Sequence, residues 1–299
     1  MRNQAKAYLY ALTSVFLWST VASAFKISLR YLSPVELLFY AALVSCGVLL
    51  IILAIQNKLH LFRSLDGTTL KTSICFGFLS PFLYYLILLK SYDLLPAQQA
   101  QPLNYTWAIT LSLMSVPLLG HRLKLLEIGA VLVSYIGVMV ISTQGAVMSL
   151  RFENPFGVFL ALASTIIWAL YWIVNTRDTR DPVFGLFMNF LCSLPFIVLY
   201  LTVTEGFRTV DLAGLFGAAY IGTFEMGIAF VTWLMAMKLT GSTARIANLI
   251  FLSPFLSLFL IHYVVGEQIM VSSVVGLLFI VAGLLIQTAA GPKEKKQRL

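Results

Sequence analysis

Ala11-Leu12-Thr13-Ser14-Val15-Phe16-Leu17-Trp18 recurs 150 positions later as Ala161-Leu162-Ala163-Ser164-Thr165-Ile166-Ile167-Trp168, with Ala, Leu, Ser and Trp kept. Pro34, Gly120 and Gly137 correspond to Pro182, Gly266 and Gly283 at offsets of 146 to 148. The chain reads as two copies of one unit, the alternative being chance likeness between apolar helices of similar composition. Both octapeptides lie in long apolar runs. Reading outward from them, against charged or Pro/Gly-marked breaks, gives ten such runs: 8–29, 34–55, 69–89, 96–119, 125–143, 155–175, 182–203, 212–237, 243–265 and 270–289.

Ten runs of roughly 20 residues consume almost the whole chain. Of its 299 residues, 60% are hydrophobic and 11% charged, which excludes a water-soluble domain. The expected fold is an all-α membrane protein of ten transmembrane helices. Residues 1–148 form the first five-helix repeat and 149–291 the second, with 292–299 a basic cytoplasmic tail. Five is odd, so the second copy enters the membrane from the opposite side. The copies are then related by a two-fold axis in the membrane plane, the geometry of alternating access to a midplane site.

The net charge of +8 is explained by orientation. With the amino terminus inside, fifteen of the twenty Lys and Arg fall on the cytoplasmic side and five (Lys26, Arg30, Lys90, Arg151 and Arg208) outside, so both termini are expected in the cytoplasm. The basic tail is solvated and faces lipid headgroups, and no nucleic acid is expected as a partner. Arg2, Lys6 and Ala22-Ser23-Ala24 also fit a loose secretory signal, but its removal would delete half of the repeat. Cys46, Cys75 and Cys192 sit in apolar runs without C-x-x-C spacing, and His60, His121 and His262 are isolated. No metal, cofactor, nucleotide loop or enzyme motif is expected.

Polar and amphipathic residues deep in a span face the bundle interior, because lipid tolerates only apolar groups. Gln98, Gln101 and Tyr105 share one face of the fourth span, and Trp168, Tyr171, Trp172 and Asn175 one face of the sixth. Trp18 is the repeat partner of Trp168, which places the two indoles on opposite sides of one cavity. Tyr84, Tyr85, Trp107 and Trp233 extend the aromatic wall. Trp107 stands two positions from Tyr105, so on a continuous helix the two rings diverge and one of them packs elsewhere. Interface belts account for Tyr8, Tyr10 and Tyr31, and core packing is the alternative for the deeper tryptophans.

Glu225 is the acidic residue that the span map puts mid-membrane, where an unpaired carboxylate is costly. It is a candidate for proton coupling; the alternatives are a neutral hydrogen-bonding acid and a group lining a wet space. Arg245 and Asn248 stand at i and i+3 near the inner end of the ninth span, as an inner gate or substrate-carboxylate contact, with headgroup anchoring the plainer role for Arg245. Gly129, Ala130, Ser134 and Gly137, with Gly276 and Gly283, permit close helix approach, within the chain or at a dimer contact.

These residues resemble the drug/metabolite transporter superfamily, whose ten-helix members carry two EamA-type repeats. The matching marks are the Trp18 and Trp168 repeat, Gly266-Glu267-Gln268, and Gly137 with Gly283. Leu17-Trp18-Ser19-Thr20, Asn104-Tyr105-Thr106-Trp107, Ile167-Trp168-Ala169-Leu170-Tyr171, Trp233 and Ser253-Pro254 look like the aromatic amino acid exporter branch, the YddG-like proteins. The resemblance implies a basket of spans one, three, four, six, eight and nine around a cavity, supported by spans five and ten. It assigns Trp18, Tyr105, Trp107 and Trp168 to substrate contact. His121, Ala108, Glu225 and Arg245 depart from the branch pattern. The expected function is export of small metabolites, aromatic and other neutral amino acids first, across the bacterial inner membrane, by a monomer or weak homodimer. Drug or nucleobase efflux on the same fold is the alternative, and a lipid-headgroup flippase a more distant one.

Overall fold

The computed structural model describes residues 2–119, 125–149, 152, 154–175, 178–240 and 248–290, and every regular element among them is helical. The helices are α1 (Arg2–Ser28), α2 (Pro34–Ile55), α3 (Gly67–Gly77), α4 (Tyr84–Leu94), α5 (Ala97–Tyr105), α6 (Trp107–Leu119) and α7 (Leu125–Ser142), then α8 (Pro155–Asn175), α9 (Pro182–Thr204), α10 (Leu212–Tyr220), α11 (Phe230–Leu239), α12 (Leu252–Leu260) and α13 (Val271–Ala290). Three π-helical segments interrupt this series: Phe78–Leu83 joins α3 to α4, Ile221–Ala229 joins α10 to α11, and Ile261–Val265 extends α12.

Eight stretches are long and apolar enough to cross a bilayer, and the apolar helix Leu252–Val265 is shorter. Seven of the eight match expected spans to within a few residues at most of their ends. The eighth, Gly67–Leu94, runs past the expected 89 to the turn before Pro96. The run 96–119, expected as one span, is two helices divided at Thr106. Pro102 brings no N–H to its turn, and the Thr106 hydroxyl donates to the Leu103 carbonyl at 2.7 Å, competing with the backbone ladder. The expected span 243–265 is described from Asn248 onward.

Helix starts follow from local chemistry. Ser33 and Glu36 form a reciprocal capping box ahead of Pro34, at 3.3 and 2.9 Å. Asp181 accepts from the Val183 and Phe184 N–H groups at the start of α9 and pairs with Lys58 Nζ at 2.7 Å. That pair ties the connector after α2 to the connector before α9, on the face where Gln4 of α1 meets Thr240 after α11. The opposite face gathers the end of α1, the α4–α5 turn and the segment after α12. There Lys26 donates to the Tyr92 and Leu95 carbonyls (both 2.8 Å), and Arg30 donates to the Val265 carbonyl (3.0 Å). Lys26 and Arg30 close the ends of neighbouring helices.

The packing repeats itself across the two halves. Helix α1 lies on α11 and α12, and its counterpart α8 lies on α4, α5 and α6. Helix α2 packs on α9, and α7 packs on α13 in the most extensive helix pair of the molecule. The kept residues of the octapeptide explain the first pairings. Ala11 and Ala161 are fully buried. Ser14 bonds the Ala229 carbonyl (3.1 Å) and the Thr232 hydroxyl (2.7 Å), while Ser164 accepts from Asn104 (3.0 Å). The π-helical turn at 221–229 frees carbonyls that serines of other helices take up, Ser45 bonding Met226 at 3.1 Å as Ser14 bonds Ala229. Large apolar side chains such as Phe16, Ile51, Leu132, Phe159, Leu199 and Phe216 stay exposed on the outer surface, as suits a multi-pass membrane protein.

At the α7–α13 seam the backbones touch. A Cβ at Gly137 would overlap the Gly276 carbonyl, and one at Gly283 would overlap Ser134 and the Ala130 carbonyl. The small-residue face is used within the chain. Gly129, by contrast, has open space around it.

Two outcomes follow for thermal unfolding in detergent. Gly137→Val or Gly283→Val should cost about 1–3 kcal/mol through overpacking, while Gly129→Ala should be neutral or slightly stabilising, and equal effects would mean the seam is not close-packed. The second concerns Asp181. Burial alone would raise its carboxyl, but Lys58 and the two backbone N–H groups outweigh that and hold it below the usual carboxylate range. A depressed folded value stabilises above the unfolded value of about 3.9 and is lost as pH falls through the folded one. Asp181→Asn, which keeps a capping side chain, should therefore be less stable than the parent by about 0.5–1 kcal/mol at neutral pH, with the gap closing as both are taken below about pH 4.

Candidate functional site

The inner faces of α1, α4, α5, α6, α8 and α11 leave a cavity of about 170 Å³ at the centre of the bundle. In another protein a cavity of about 150 Å³ takes a benzene-sized guest, so a single aromatic side chain is an admissible size. Trp18 reaches it from α1, Tyr84 and Tyr85 from α4, and Gln101 and Tyr105 from α5. Trp107 comes from α6, Trp168 and Trp172 from α8, and Trp233 from α11, while Glu225 enters from the π-helical turn. Val21, Phe25, Leu88, Tyr92, Asn104, Phe230 and Ile250 complete the lining.

Trp18, Tyr84, Tyr85, Trp168, Trp172, Phe230 and Trp233 form one connected wall. Trp168 lies between Tyr84 (4.5 Å, 24°) and Tyr171 (5.3 Å, 14°), stacked on both. Phe230 meets Trp18 and Trp168 edge-on at 5.8 and 6.0 Å, so one phenyl ring bridges the two indoles of the repeat. Trp18 also packs against Trp233 at 5.2 Å. Tyr105 and Trp107 both face the cavity because the helix breaks between them at Thr106; the expected divergence would hold only on an unbroken helix.

The polar groups divide into those that hold the walls and those that do not. Tyr105 donates to Ser253 at 2.8 Å and Tyr84 to Asn104 at 3.4 Å, tying α5 to α12 and α4 to α5. Tyr85 donates to Glu225 Oε1 at 3.1 Å. Glu225 Oε2, Gln101 Oε1 and Trp172 Nε1 are buried without a hydrogen-bond partner among the described residues. Gln98, expected on the same face as Gln101, does not reach the cavity. Its amide instead accepts from the Met270 N–H (2.8 Å) and the Ser273 hydroxyl (3.0 Å) and donates to the Gln268 carbonyl (2.9 Å). Glu267 beside it accepts from the N–H groups of Ala97 and Gln98 at the start of α5 (2.8 and 3.2 Å).

Tyr171 is placed apart from the other site candidates. It lines a neighbouring cavity of about 110 Å³ with Asn175, Asp178, Arg180 and Asn189, and the two cavities share Trp172 and Phe230. In that cavity Arg180 clamps Asp178 with its Nε and Nη2 (2.7–3.1 Å) and also donates to Ser73 (2.6 Å) and Asn189 (3.1 Å). Burial alone would raise the Asp178 carboxyl; the Arg180 guanidinium outweighs it and holds the group below the usual range. Arg245 and the side chain of Asn248 lie outside the described residues, as do His121 and the tail 292–299.

Some lining residues, Asn104 and Phe230 among them, are not among the residues that the sequence singles out as cavity candidates. Asn104 sits at i+3 from Gln101 and was within reach of the same facial reading. Phe230 is one of 22 phenylalanines, and nothing in the sequence separates it from those that face lipid. Among the described residues no group of three or more His, Cys, Asp or Glu is arranged to hold a metal.

The EamA-like transporter family matches residues 5–143 and again 155–288, and the chain belongs to that family. It is 23% identical to an uncharacterized transporter of Clostridium kluyveri over 298 aligned residues, covering 96% of this chain and 94% of the other. To the uncharacterized transporter YvbV of Bacillus subtilis it is likewise 23% identical, covering 94% and 91%. It is 26% identical to the aromatic amino acid exporter YddG of Ancylobacter novellus, over 60% of this chain and 62% of that one. A solved crystal structure shares the fold at a TM-score of 0.64 and 22% identity, covering 95% and 97%.

The two glutamines should separate in a stability assay. Gln98→Ala leaves a backbone N–H, a hydroxyl and a carbonyl unsatisfied in the interior and should cost about 2–4 kcal/mol. Gln101→Ala should cost much less, since its carbonyl oxygen holds nothing in place. Thermal unfolding of both variants in the same detergent checks the order, and a reversal would make Gln101 the structural residue.

Proposed function

We propose that the chain is a secondary transporter of small metabolites, aromatic and other neutral amino acids foremost, which exports them across the bacterial inner membrane. The observation that carries this reading is the central cavity, walled by the paired tryptophans of the repeat, with apolar faces and few polar groups. Likeness to an aromatic amino acid exporter over part of the chain supports the same substrate class.

The proposed architecture is ten crossings in two inverted halves of five, counting 97–119 as one interrupted crossing and the ninth as ending at Val265. Its support is threefold: the family match occurs twice along the chain, α1 repeats the packing of α8, and the cross-contacts sort the connectors onto two faces. Lys6, Lys58, Arg63, Lys71, Arg180 and Lys238 belong to the face of the amino terminus, which supports a cytoplasmic assignment for it. Rocking of the halves would expose Trp18 and Trp168 to the two sides in turn. Proton coupling falls to Glu225, the carboxylate in the cavity wall.

Counterflow in proteoliposomes tests the reading. Labelled phenylalanine or tryptophan should exchange, and Trp18→Ala or Trp168→Ala should reduce the rate at least about tenfold by removing a ring contact worth roughly 1.5 kcal/mol. Tyr31→Ala, on the exposed outer surface, should leave it nearly unchanged. Exchange of drugs or nucleobases with no competition by aromatic amino acids would remove the substrate claim. Glu225→Gln transport that still follows an imposed pH gradient would remove the coupling role.

A further inference from the structure

Glu36 and Glu267 are each occupied in satisfying a helix start. Glu36 closes the capping box of α2, and both oxygens of Glu267 take N–H groups at the start of α5. Glu225 has no such occupation. It is more than nine-tenths buried, it projects from a π-helical turn into the cavity wall, and only Oε1 has a partner, the Tyr85 hydroxyl. Among the described residues it is the one formally charged group in the lining, with no Lys or Arg beside it and no ion pair reaching it. Among the described cations, Lys26 is committed to the carbonyls at the end of α4 and Arg180 to Asp178.

We infer that the central cavity recognises its guest by a protonated amine, with Glu225 as the acceptor. The inference rests on the reading of this cavity as the transport site and names the end of the guest that it grips. An ammonium group brings three N–H donors. The lining offers Glu225 Oε2 and Gln101 Oε1 as unpartnered acceptors. The remaining wall is indole and phenol, whose negative ring faces attract a desolvated cation and give a carboxylate nothing. Among the described residues of the lining, a guest presenting only a carboxylate would meet one negative group and no positive one. The ammonium end of an amino acid, or an aromatic amine without a carboxylate, meets a matched surface.

The test uses the full chain in detergent, at one pH, with binding read from the fluorescence of the cavity tryptophans. Probes come in pairs differing only in whether the amine is free or acetylated: phenylalanine amide, leucine amide and phenethylamine, each beside its N-acetyl derivative. Within any pair that binds, the free amine should bind at least about tenfold more tightly, the scale of one charge-assisted hydrogen bond. Glu225→Gln should bring the two members of a pair close together, and Glu225→Asp should retain the preference. Acetylated partners that bind as well in the parent protein overturn the inference, whether or not the variants fold, as does a preference that survives in Glu225→Gln. If phenethylamine follows the pattern while neither amino acid amide binds, the amine inference stands and the amino acid reading falls. Amides that bind regardless of acetylation give the converse, and a parent protein that binds none of the six removes both.

Discussion

A helix end packed against the rest of the protein has little water to turn to, so each terminal N–H and C=O buried there must be met by another part of the chain. The structure is organised around that requirement. The last carbonyls of α4 are met by Lys26 of α1, the first N–H groups of α5 by Glu267, and the start of α13 by Gln98 of α5. Each of these links joins segments far apart in sequence. Secondary structure and tertiary assembly are therefore one problem here, since a helix that ended without its distant partner would bury bare polar groups.

The same requirement explains where the helices are allowed to fail. The break at 78–83 buries Ser80, Pro81 and Phe82 and leaves Phe78 exposed, while the breaks at Thr106 and at 221–229 border the central cavity. Ser14 and Ser45 absorb the carbonyls freed by the last of them. A broken helix changes which residues share a face. That is how Tyr105 and Trp107, two positions apart, both turn inward, and how Glu225 comes to stand among rings.

What could be read from the residues alone was the part governed by long periodic signals. Apolar runs flanked by charges located most span ends, and the repeat of Ala, Leu, Ser and Trp marked two positions that the structure brings to one cavity through Phe230. Short-range irregularity was not legible. Nothing in 96–119 announces a break at Thr106 rather than at Pro102: a hydroxyl that donates to the carbonyl three residues back, as Thr106 does to Leu103, also sits in unbroken helix at Ser19 and Ser164. Facial arithmetic put Gln98 beside Gln101 and Tyr171 beside Trp168, and the angular spacing was sound. Gln98 was drawn aside by Met270 and Ser273, and Tyr171 stacks on Trp168 from the far side and so opens onto the other cavity. Which member of a shared face reaches an enclosed space depends on what packs above and below it, and a single helix does not encode that.

The seam between α7 and α13 sets glycine against backbone and against the side chains of Ile141, Ile280 and Ser134. Ile141 presses on Gly276 and Ile280 on Gly137, so neither glycine position has room for a Cβ. The last helices of the two family-matching stretches are in this way spliced together, and the first helices of the same stretches carry Trp18 and Trp168.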